Sequence, residues 1–363
     1  MLSKLNFRGA VAILLVFYMG SGPVFSLSSG LGADGWIAQL IGFLLVLPLL
    51  FILARLVRLM PGMDFYGILG YTLGKWLAGV VTVLYFCYFI TMAATVRLYY
   101  GTFLQLTSLP NTPLIVILLA LFAICAYLAK SGAETLGKWS TLVGAMAIVG
   151  ALFLALMAIP SMRLGNLLPV MASGGREILW SGYRFAVLPF GEAVVLLALF
   201  GRLERGVSPY RVFFFGALLA AVFFVLTFLR DAAVLGAESM DSLRYPSFQA
   251  ASVIRMGVIE MRIESLWSVP LILIGATKAA VYLIAAVLAV RRLFGLVDGG
   301  AVLLPVAFFS VGLSGVLFYN LTALFSFPAL HLVVAPLFQM GIPVVIWLVA
   351  EYRGCGRVVR AEE

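Results

Sequence analysis

The stretch VFYMGSGPVFSLSSG, residues 16–30, interrupts an apolar N-terminal run that is otherwise long enough to cross a membrane. Its centre holds Gly20, Ser21, Gly22 and Pro23. Glycine adopts backbone conformations that other residues avoid, and proline lacks the N–H that a continuous helix uses. The stretch therefore predicts unwound backbone at about mid-membrane depth. Because lipid offers no hydrogen-bond partners, such a break should line a cavity or a binding site.

The composition is that of a polytopic membrane protein. The 363 residues are 64% hydrophobic and only 11% charged, and the mean hydropathy is +1.14, so there is too little polar surface to coat a soluble globule. We read residues 1–363 as a single membrane domain. Runs of about 20 apolar residues predict ten spans: 8–29, 35–57, 76–104, 113–129, 138–160, 183–201, 210–230, 266–290, 301–319 and 329–351.

The basic residues lie mostly in the connections between these runs. With the N-terminus inside, the inner segments contain fifteen of the 24 Lys and Arg residues and the outer segments seven. Cytoplasmic loops of membrane proteins carry such an excess, which predicts that both termini are cytoplasmic. The net charge of +9 is thus explained by orientation, and no nucleic-acid partner is expected.

Neither metal nor enzymatic chemistry is indicated. The three cysteines have no paired spacing and the chain has one histidine, so we expect no metal site, disulfide framework or cofactor. No phosphate-binding loop, dinucleotide fingerprint, nucleophile elbow or zinc-protease motif occurs. We expect that the protein is not an enzyme.

A second interruption lies in the sixth span, SGYRFAVLPFGEAVVLLALF, residues 181–200. Pro189, Gly191 and Glu192 lie at its centre. The first and sixth spans run in opposite directions, so the ten spans divide into two repeats of five, at about 8–160 and 183–351. Paired broken helices in inverted repeats are typical of transporters that bind their ligand at the two breaks.

At the first break, free backbone N–H groups near Gly20 to Val24 would start a half-helix and suit a ligand carboxylate. The alternative is a packing kink, in which small residues let two helices approach closely. At the break in the sixth span, burying a carboxylate at the bilayer centre costs roughly 2.5–3.5 kcal/mol on insertion scales. Glu192, with the carbonyls of residues 185–188, could bind a ligand ammonium, or it could cap the inner half-helix.

Lys278 lies near the middle of the eighth span, too deep to reach the membrane surface easily. It needs a buried partner or a water-filled cavity. It could occupy the place that a coupling cation takes in ion-coupled transporters, or titrate in a proton relay. Alternatively, it pairs permanently with Glu192 or with helix-end carbonyls.

Arg97 lies within two turns of the outer end of the third span. We expect its side chain to extend to the outer interface, with a place in a ligand vestibule as the second interpretation. By position, the aromatic residues that could shape a ligand side-chain pocket are Phe185, Phe190, Tyr85 and Tyr88.

The chain resembles the GerAB-type spore germination proteins, the B subunits of nutrient germinant receptors in the amino acid/polyamine permease superfamily. The most specific stretches are PFGE (189–192), GKW (74–76) and EMRIESLW (260–267). They occur within longer similar stretches, in the order expected of the family: residues 32–42, 61–86, 166–196, 245–267 and 278–287. Pro23 directly after Gly22 departs from the commonest pattern of the family.

The resemblance implies an all-α, LeuT-like permease fold with broken helices 1 and 6, and a small nutrient such as an amino acid held at the breaks. Gly20 to Pro23 match the unwound first span, Pro189 to Glu192 match the sixth, and Lys278 falls where such proteins often carry a lysine. The resemblance also implies A-type and lipoprotein C-type partner subunits in the inner membrane of the dormant spore.

A secondary amino-acid transporter with net flux, coupled to protons through Glu192 or Lys278, is the main alternative to a nutrient sensor. A scaffold without a ligand is the third.

Overall fold

The computed structural model describes residues 4–21, 30–253, 264–318 and 320–354. Regular structure in these residues is helical, apart from an isolated bridge between Leu5 and Leu203. The α-helices are α1 (Phe7–Met19), α2 (Gly35–Leu59), α3 (Phe65–Leu73), α4 (Lys75–Thr107), α5 (Leu114–Ser131), α6 (Ala133–Ala158), α7 (Gly175–Val187), α8 (Leu197–Phe200), α9 (Pro209–Leu235), α10 (Ala237–Ser242), α11 (Pro246–Val253), α12 (Glu264–Phe294), α13 (Gly300–Leu317), α14 (Leu321–Pro336) and α15 (Ile342–Tyr352).

Within the described residues, nine helical segments are long and apolar enough to cross a membrane, and they overlap the predicted spans two to ten. The first predicted span is represented by α1, an apolar helix of 13 residues. The all-helical membrane architecture is therefore confirmed. The count of ten spans, the two-repeat division and the cytoplasmic placement of the termini stay predictions.

Helix boundaries follow from local chemistry. The side chains of Asn6, Asp64 and Asn320 accept hydrogen bonds from backbone N–H groups three residues later, at 2.7–2.8 Å, and so satisfy donors at the starts of α1, α3 and α14. Gly74 and Gly132 have φ of +77° and +87°, and they separate α3 from α4 and α5 from α6. Only glycine adopts this conformation without strain, so consecutive helices can turn without a long loop.

The bundle is organised around α1, the sixth span and α12. Helix α12 packs against α1, α4, α5, α6 and α13, and α2 packs against α7 and α9. In the most apolar window of the sixth span, 89% of residues are buried, against 22% in the window of the last span. The predicted broken spans are thus the interior ones, because neighbouring helices surround them.

Large apolar side chains remain exposed around the outside of the bundle. Leu44, Val149 and Val333 are 60%, 65% and 78% exposed. In water such an apolar surface would drive aggregation, whereas in a bilayer it faces acyl chains. Together with the nine long apolar helices, it identifies the chain as an integral membrane protein.

The sixth span is not a continuous α-helix. Helix α7 ends at Val187, Leu188 is extended (φ −136°, ψ 112°), and a 3-10 segment covers Phe190–Leu196 before the short helix α8. The break predicted at Pro189 and Gly191 is therefore observed in the backbone. In the first span, α1 ends at Met19 and is followed by Gly20 and Ser21. Gly22 and Pro23 lie outside the described residues.

Two segments that carry the family resemblance meet beside the bundle. The carboxylate of Asp34, just before α2, accepts hydrogen bonds from the backbone N–H groups of Met171 and Ser173, at 2.6 and 2.8 Å. The Ser173 hydroxyl donates in turn to the carbonyl of Leu31. These contacts tie the connection before α7 to the start of α2, and they explain why Asp34 is buried.

Candidate functional site

Glu192 and Lys278 form an ion pair in the interior of the bundle. Glu192 lies in the 3-10 segment of the sixth span, and Lys278 lies on α12. The Lys278 ammonium donates to Oε2 of Glu192, and the side chains of Lys278 and Glu192 are 0% and 1% exposed. A buried charge in a membrane requires a partner of opposite charge. Of the alternatives for Lys278, direct pairing with Glu192 is the arrangement in this structure.

Two hydroxyl groups complete the hydrogen bonding of the Glu192 carboxylate. Ser21, which follows the end of α1, donates to Oε2 at 2.9 Å, and Tyr282 donates to Oε1 at 2.9 Å. The Ser21 hydroxyl oxygen also accepts a hydrogen bond from the Lys278 ammonium. The carboxylate therefore brings together residues from α1, the broken sixth span and α12, the three most central elements of the bundle.

The position of Lys278 depends on α1. Its ammonium lies 4.6 Å from the centroid of the Phe17 ring, a distance at which a cation is attracted to the ring face. Gly20 leaves room for the lysine stem, because a Cβ atom at that position would lie 2.8 Å from Cδ of Lys278 and 3.0 Å from its Cβ. A glycine at the end of α1 thus permits the close approach of α12.

Tyrosine hydroxyls bond to carbonyl oxygens at the end of α1 and in the 3-10 segment of the sixth span. Tyr100 of α4 donates to the carbonyl of Gly20 at 3.0 Å, and Tyr18 of α1 donates to the carbonyl of Phe190 at 3.1 Å. Carbonyl groups near a helix interruption lose their regular intrahelical partners, and in a membrane interior the protein must replace them. These two hydroxyls supply such partners. Tyr18 joins the first span to the sixth, and Tyr100 joins α4 to the end of α1.

Gly191 and the tenth span adjoin this cluster. A Cβ atom on Gly191 would lie 2.4 Å from Oε1 of Gln339 and 2.9 Å from the carbonyl oxygen of Ala186. Gln339 lies in a π-helical turn, Leu337–Gly341, between α14 and α15. Its amide donates to the Tyr88 hydroxyl at 3.0 Å and lies 3.4 Å from Nε2 of His331. A second buried polar group therefore borders the break.

The predicted aromatic residues separate into two groups. Phe190 packs against Tyr18 with ring centroids 5.2 Å apart. Tyr88 accepts a hydrogen bond from Gln339, and Tyr85 donates to the carbonyl of Phe338 at 2.6 Å. Both tyrosines therefore connect α4 to the π-helical turn in the tenth span. Phe185 lies elsewhere, in a small apolar cluster against α2. Its part in a ligand pocket, like those of the other predicted site residues, stays a prediction.

The expectation that Arg97 extends to the outer membrane surface is wrong. The residue is 2% exposed, and its Nη1 donates to the hydroxyl of Ser310 on α13 at 3.0 Å. Distance from the helix end suggested that the side chain could reach the interface, but α4 is 33 residues long and the face that carries Arg97 is covered by neighbouring helices.

Sequence reasoning did not identify Tyr282, Tyr18, Tyr100 or Gln339. Tyr282 could have been found, because it follows Lys278 by four residues and so shares its helix face. Gln339 lies in an apolar run, where an uncharged amide gives a weaker signal than a charge. Among the described residues, no group of three or more His, Cys, Asp or Glu side chains is placed to hold a metal ion.

Chemically, the cluster offers one negative and one positive group, separated from lipid and bordered by hydroxyls. A carboxylate can bind an ammonium and an ammonium can bind a carboxylate, each through charge-assisted hydrogen bonds. The arrangement is thus suited to recognising a molecule that carries both charges.

Comparisons with known proteins agree with this architecture. The chain is 25% identical over 295 residues to spore germination protein KB of Bacillus subtilis (strain 168). The aligned region covers 80% of this chain and 79% of that protein. It has the fold of MhsT, solved in complex with L-phenylalanine, with a TM-score of 0.67, 13% identity and coverage of 99% and 98% of the two chains. It is similar in the same way to Mhp1, a nucleobase-cation-symport-1 family transporter, with a TM-score of 0.64, 13% identity and coverage of 91% and 75%.

At 13% identity these solved structures establish the LeuT-like permease fold alone. The family is established by sequence, because residues 4–323 match the model of one family, described as spore germination protein. This match covers most of the chain and includes all the residues of the Glu192–Lys278 cluster. The chain belongs to the spore germination protein family.

Proposed function

We propose that this protein is the nutrient-sensing membrane subunit of a spore germinant receptor, and that it binds a small zwitterion such as an amino acid between the first and sixth spans. The observation that carries the proposal is the buried Glu192–Lys278 pair, bordered by Ser21 and Tyr282. The family supports a role in germination, and the transporter neighbours support a permease-type site.

The internal ion pair suggests how a zwitterion is recognised. The ligand ammonium can replace the Lys278 ammonium on Glu192, and the ligand carboxylate can then accept from Lys278. One buried ion pair is exchanged for two, so neither protein charge is left alone, which would otherwise cost several kcal/mol. A ligand with only one of the two charges leaves Glu192 or Lys278 without a partner. The site therefore favours amphoteric nutrients.

The predicted position of the ligand also uses the backbone of the first span. The expectation that free N–H groups of Gly20 and Ser21 bind the carboxylate is wrong, because these groups donate to the carbonyls of Val16 and Tyr18. Pro23 has no N–H, so we propose the N–H of Gly22 for this contact. Tyr100 and Tyr18 already hold the carbonyls of Gly20 and Phe190, so these segments are connected to α4 and to each other. Ligand binding at the cluster can in this way be transmitted to neighbouring helices.

Sensing requires that the ligand has different affinities for two arrangements of the bundle, because only that difference shifts their equilibrium. A closed Glu192–Lys278 pair is one arrangement, and the ligand-bridged pair is the other. We propose that A-type and lipoprotein C-type subunits in the spore inner membrane read this change. MhsT was solved with L-phenylalanine, which makes an amino acid the first ligand class to test.

Binding can be measured on the purified protein in lipid nanodiscs with a panel of radiolabelled amino acids. We expect saturable binding of a subset, and a loss of at least about tenfold in affinity in Glu192→Gln, since one charge-assisted contact to the ligand is lost. Lys138→Gln is the matched control, since Lys138 is exposed and pairs with Glu134 on the same helix. Binding that is equally strong in Glu192→Gln would contradict the proposed site.

Transport is the second candidate, because the fold is similar to that of Mhp1, a nucleobase-cation-symport-1 family transporter. Uptake of the bound amino acid into proteoliposomes distinguishes the two functions. Binding without uptake supports the sensor, and uptake that depends on Glu192 supports a secondary transporter that uses the same site.

A further inference from the structure

Arg97 is a second buried cation, and its surroundings differ from those of Lys278. It lies on α4 and is 2% exposed. Its Nη1 donates to Ser310 at 3.0 Å, and the Ser310 hydroxyl is itself committed to the carbonyl of Ala307 at 2.7 Å. Ser310 therefore orients the guanidinium, but it is neutral and cannot balance the charge.

The other edge of the guanidinium is left without a partner. Nε and Nη2 of Arg97 have no hydrogen-bond acceptor in the described part of the chain. These two nitrogens form the edge that binds a carboxylate in a bidentate manner. Arg55 shows this use in the same protein, since its Nε and Nη2 donate to the two carboxylate oxygens of Glu351 at 2.5 and 3.2 Å.

The charge of Arg97 also needs a counterion. A guanidinium stays protonated in proteins, and an isolated charge inside a membrane protein is strongly unfavourable. Among the described residues, the thiol of Cys125 on α5 lies close enough to Arg97 to influence its charge. That thiol donates to the carbonyl of Ala276 at 3.4 Å, which requires its proton. Within the residues that the structure describes, no carboxylate pairs with Arg97.

We propose that Arg97 binds a small monovalent anion through Nε and Nη2 in the region where α4 meets α5 and α13. Both nitrogens are buried in this structure, so the anion enters when these helices move apart at that edge. The site is separate from the Glu192–Lys278 cluster and does not depend on the proposed function. The ligand carries a single negative charge and has acceptor atoms that fit the guanidinium edge. It is either an inorganic anion, such as chloride or nitrate, or the carboxylate of a small organic molecule.

The test measures the unfolding temperature of the purified protein in detergent by tryptophan fluorescence. Sodium isethionate, whose anion is bulky, is replaced stepwise by chloride, nitrate, formate, acetate or propionate at constant ionic strength. An anion that binds only the folded protein raises the unfolding temperature in a saturable manner. We expect such a rise of several degrees for at least one of these anions, and its absence in Arg97→Met.

Two matched variants show whether the response belongs to Arg97. Arg55→Met removes an arginine whose edge is already occupied by Glu351, and it should keep the full anion response. Cys125→Ala should also keep it, because the thiol is not the counterion. If Arg97→Met does not fold, Arg97→Lys replaces the planar edge with a point charge. We then expect a chloride response with a reduced preference for nitrate and formate.

The outcomes are distinct. A response to chloride and nitrate alone identifies an inorganic anion as the source, whereas a response that includes acetate and propionate identifies an organic carboxylate. The proposal is overturned if the wild-type protein shows no saturable response to any of the anions, or if Arg97→Met responds as the wild type does.

Discussion

Lys278 and Arg97 are both buried cations on long membrane helices, but the protein treats them in opposite ways. Lys278 contacts a carboxylate, a hydroxyl and an aromatic ring. Arg97 has one neutral hydroxyl partner in the described residues. Equal burial therefore does not mean equal electrostatic balance. The first cation belongs to a network that the protein completes itself and that a zwitterion can enter, and the second is suited to an anion from outside.

The largest effect is expected where the balanced pair is broken. Glu192→Gln leaves the Lys278 ammonium buried without a counter-charge, and removing one partner of a buried pair typically costs about 3–5 kcal/mol. Lys278→Met should cost a similar amount. The double variant should recover most of this loss, since no buried charge then remains. The free energy of unfolding in mixed detergent micelles, measured for all four proteins, checks the prediction.

The exposed pair Lys138–Glu134 on α6 is the control for this cycle. Its side chains are 77% and 50% exposed, so Lys138→Gln should change the free energy of unfolding by less than about 0.5 kcal/mol. If the double variant of Glu192 and Lys278 were as unstable as the sum of the two single variants, the two residues would not act as a pair.

A second prediction concerns the fit of Lys278 against α1. Gly20→Ala places a methyl group 2.8 Å from Cδ of Lys278, so the lysine stem must shift away from Glu192. Overpacking of this kind costs about 1–3 kcal/mol, and ligand affinity should fall with it. Gly79 lies on α4, and a methyl group at that position would have no neighbouring heavy atom within 4 Å apart from the backbone of its own helix. Gly79→Ala is therefore the control. That control should be neutral or slightly stabilising. Equal effects of the two variants would contradict the close approach.

The third prediction separates Arg97 from Lys278 by the sign of the effect. In isethionate buffer, Arg97→Met removes a buried charge that lacks a counterion, so the free energy of unfolding should rise by about 1–2 kcal/mol. Lys278→Met lowers it, because that change leaves Glu192 unpaired. Both variants are compared under the same detergent conditions. A loss of stability in Arg97→Met without added anions would mean that the guanidinium is already balanced by the protein.

The sequence predicted the parts of this comparison that depend on charge and on backbone chemistry. Pro189 and Gly191 predicted the break in the sixth span, and pairing of Lys278 with Glu192 was among the alternatives. The environment of Arg97 was not predictable, because depth along a helix can be read from the sequence but the helices that cover a given face cannot. The same reason applies to Gln339, whose contact with Gly191 joins residues that are far apart in the chain.

The smallest effect is expected at the edge of the balanced network. Tyr282→Phe removes the hydroxyl that donates to Oε1 of Glu192, while Lys278 and Ser21 still donate to Oε2. Because the carboxylate keeps its counter-charge, the loss should be about 1 kcal/mol in the free energy of unfolding, well below that of Glu192→Gln. When Tyr282→Phe is introduced into the Glu192→Gln variant, the free energy of unfolding should change less, because the tyrosine hydroxyl there faces a neutral amide instead of a carboxylate. A double-mutant cycle measures this coupling. Absence of coupling would place Tyr282 outside the network, and the charge of Glu192 would then depend on Lys278 and Ser21 alone.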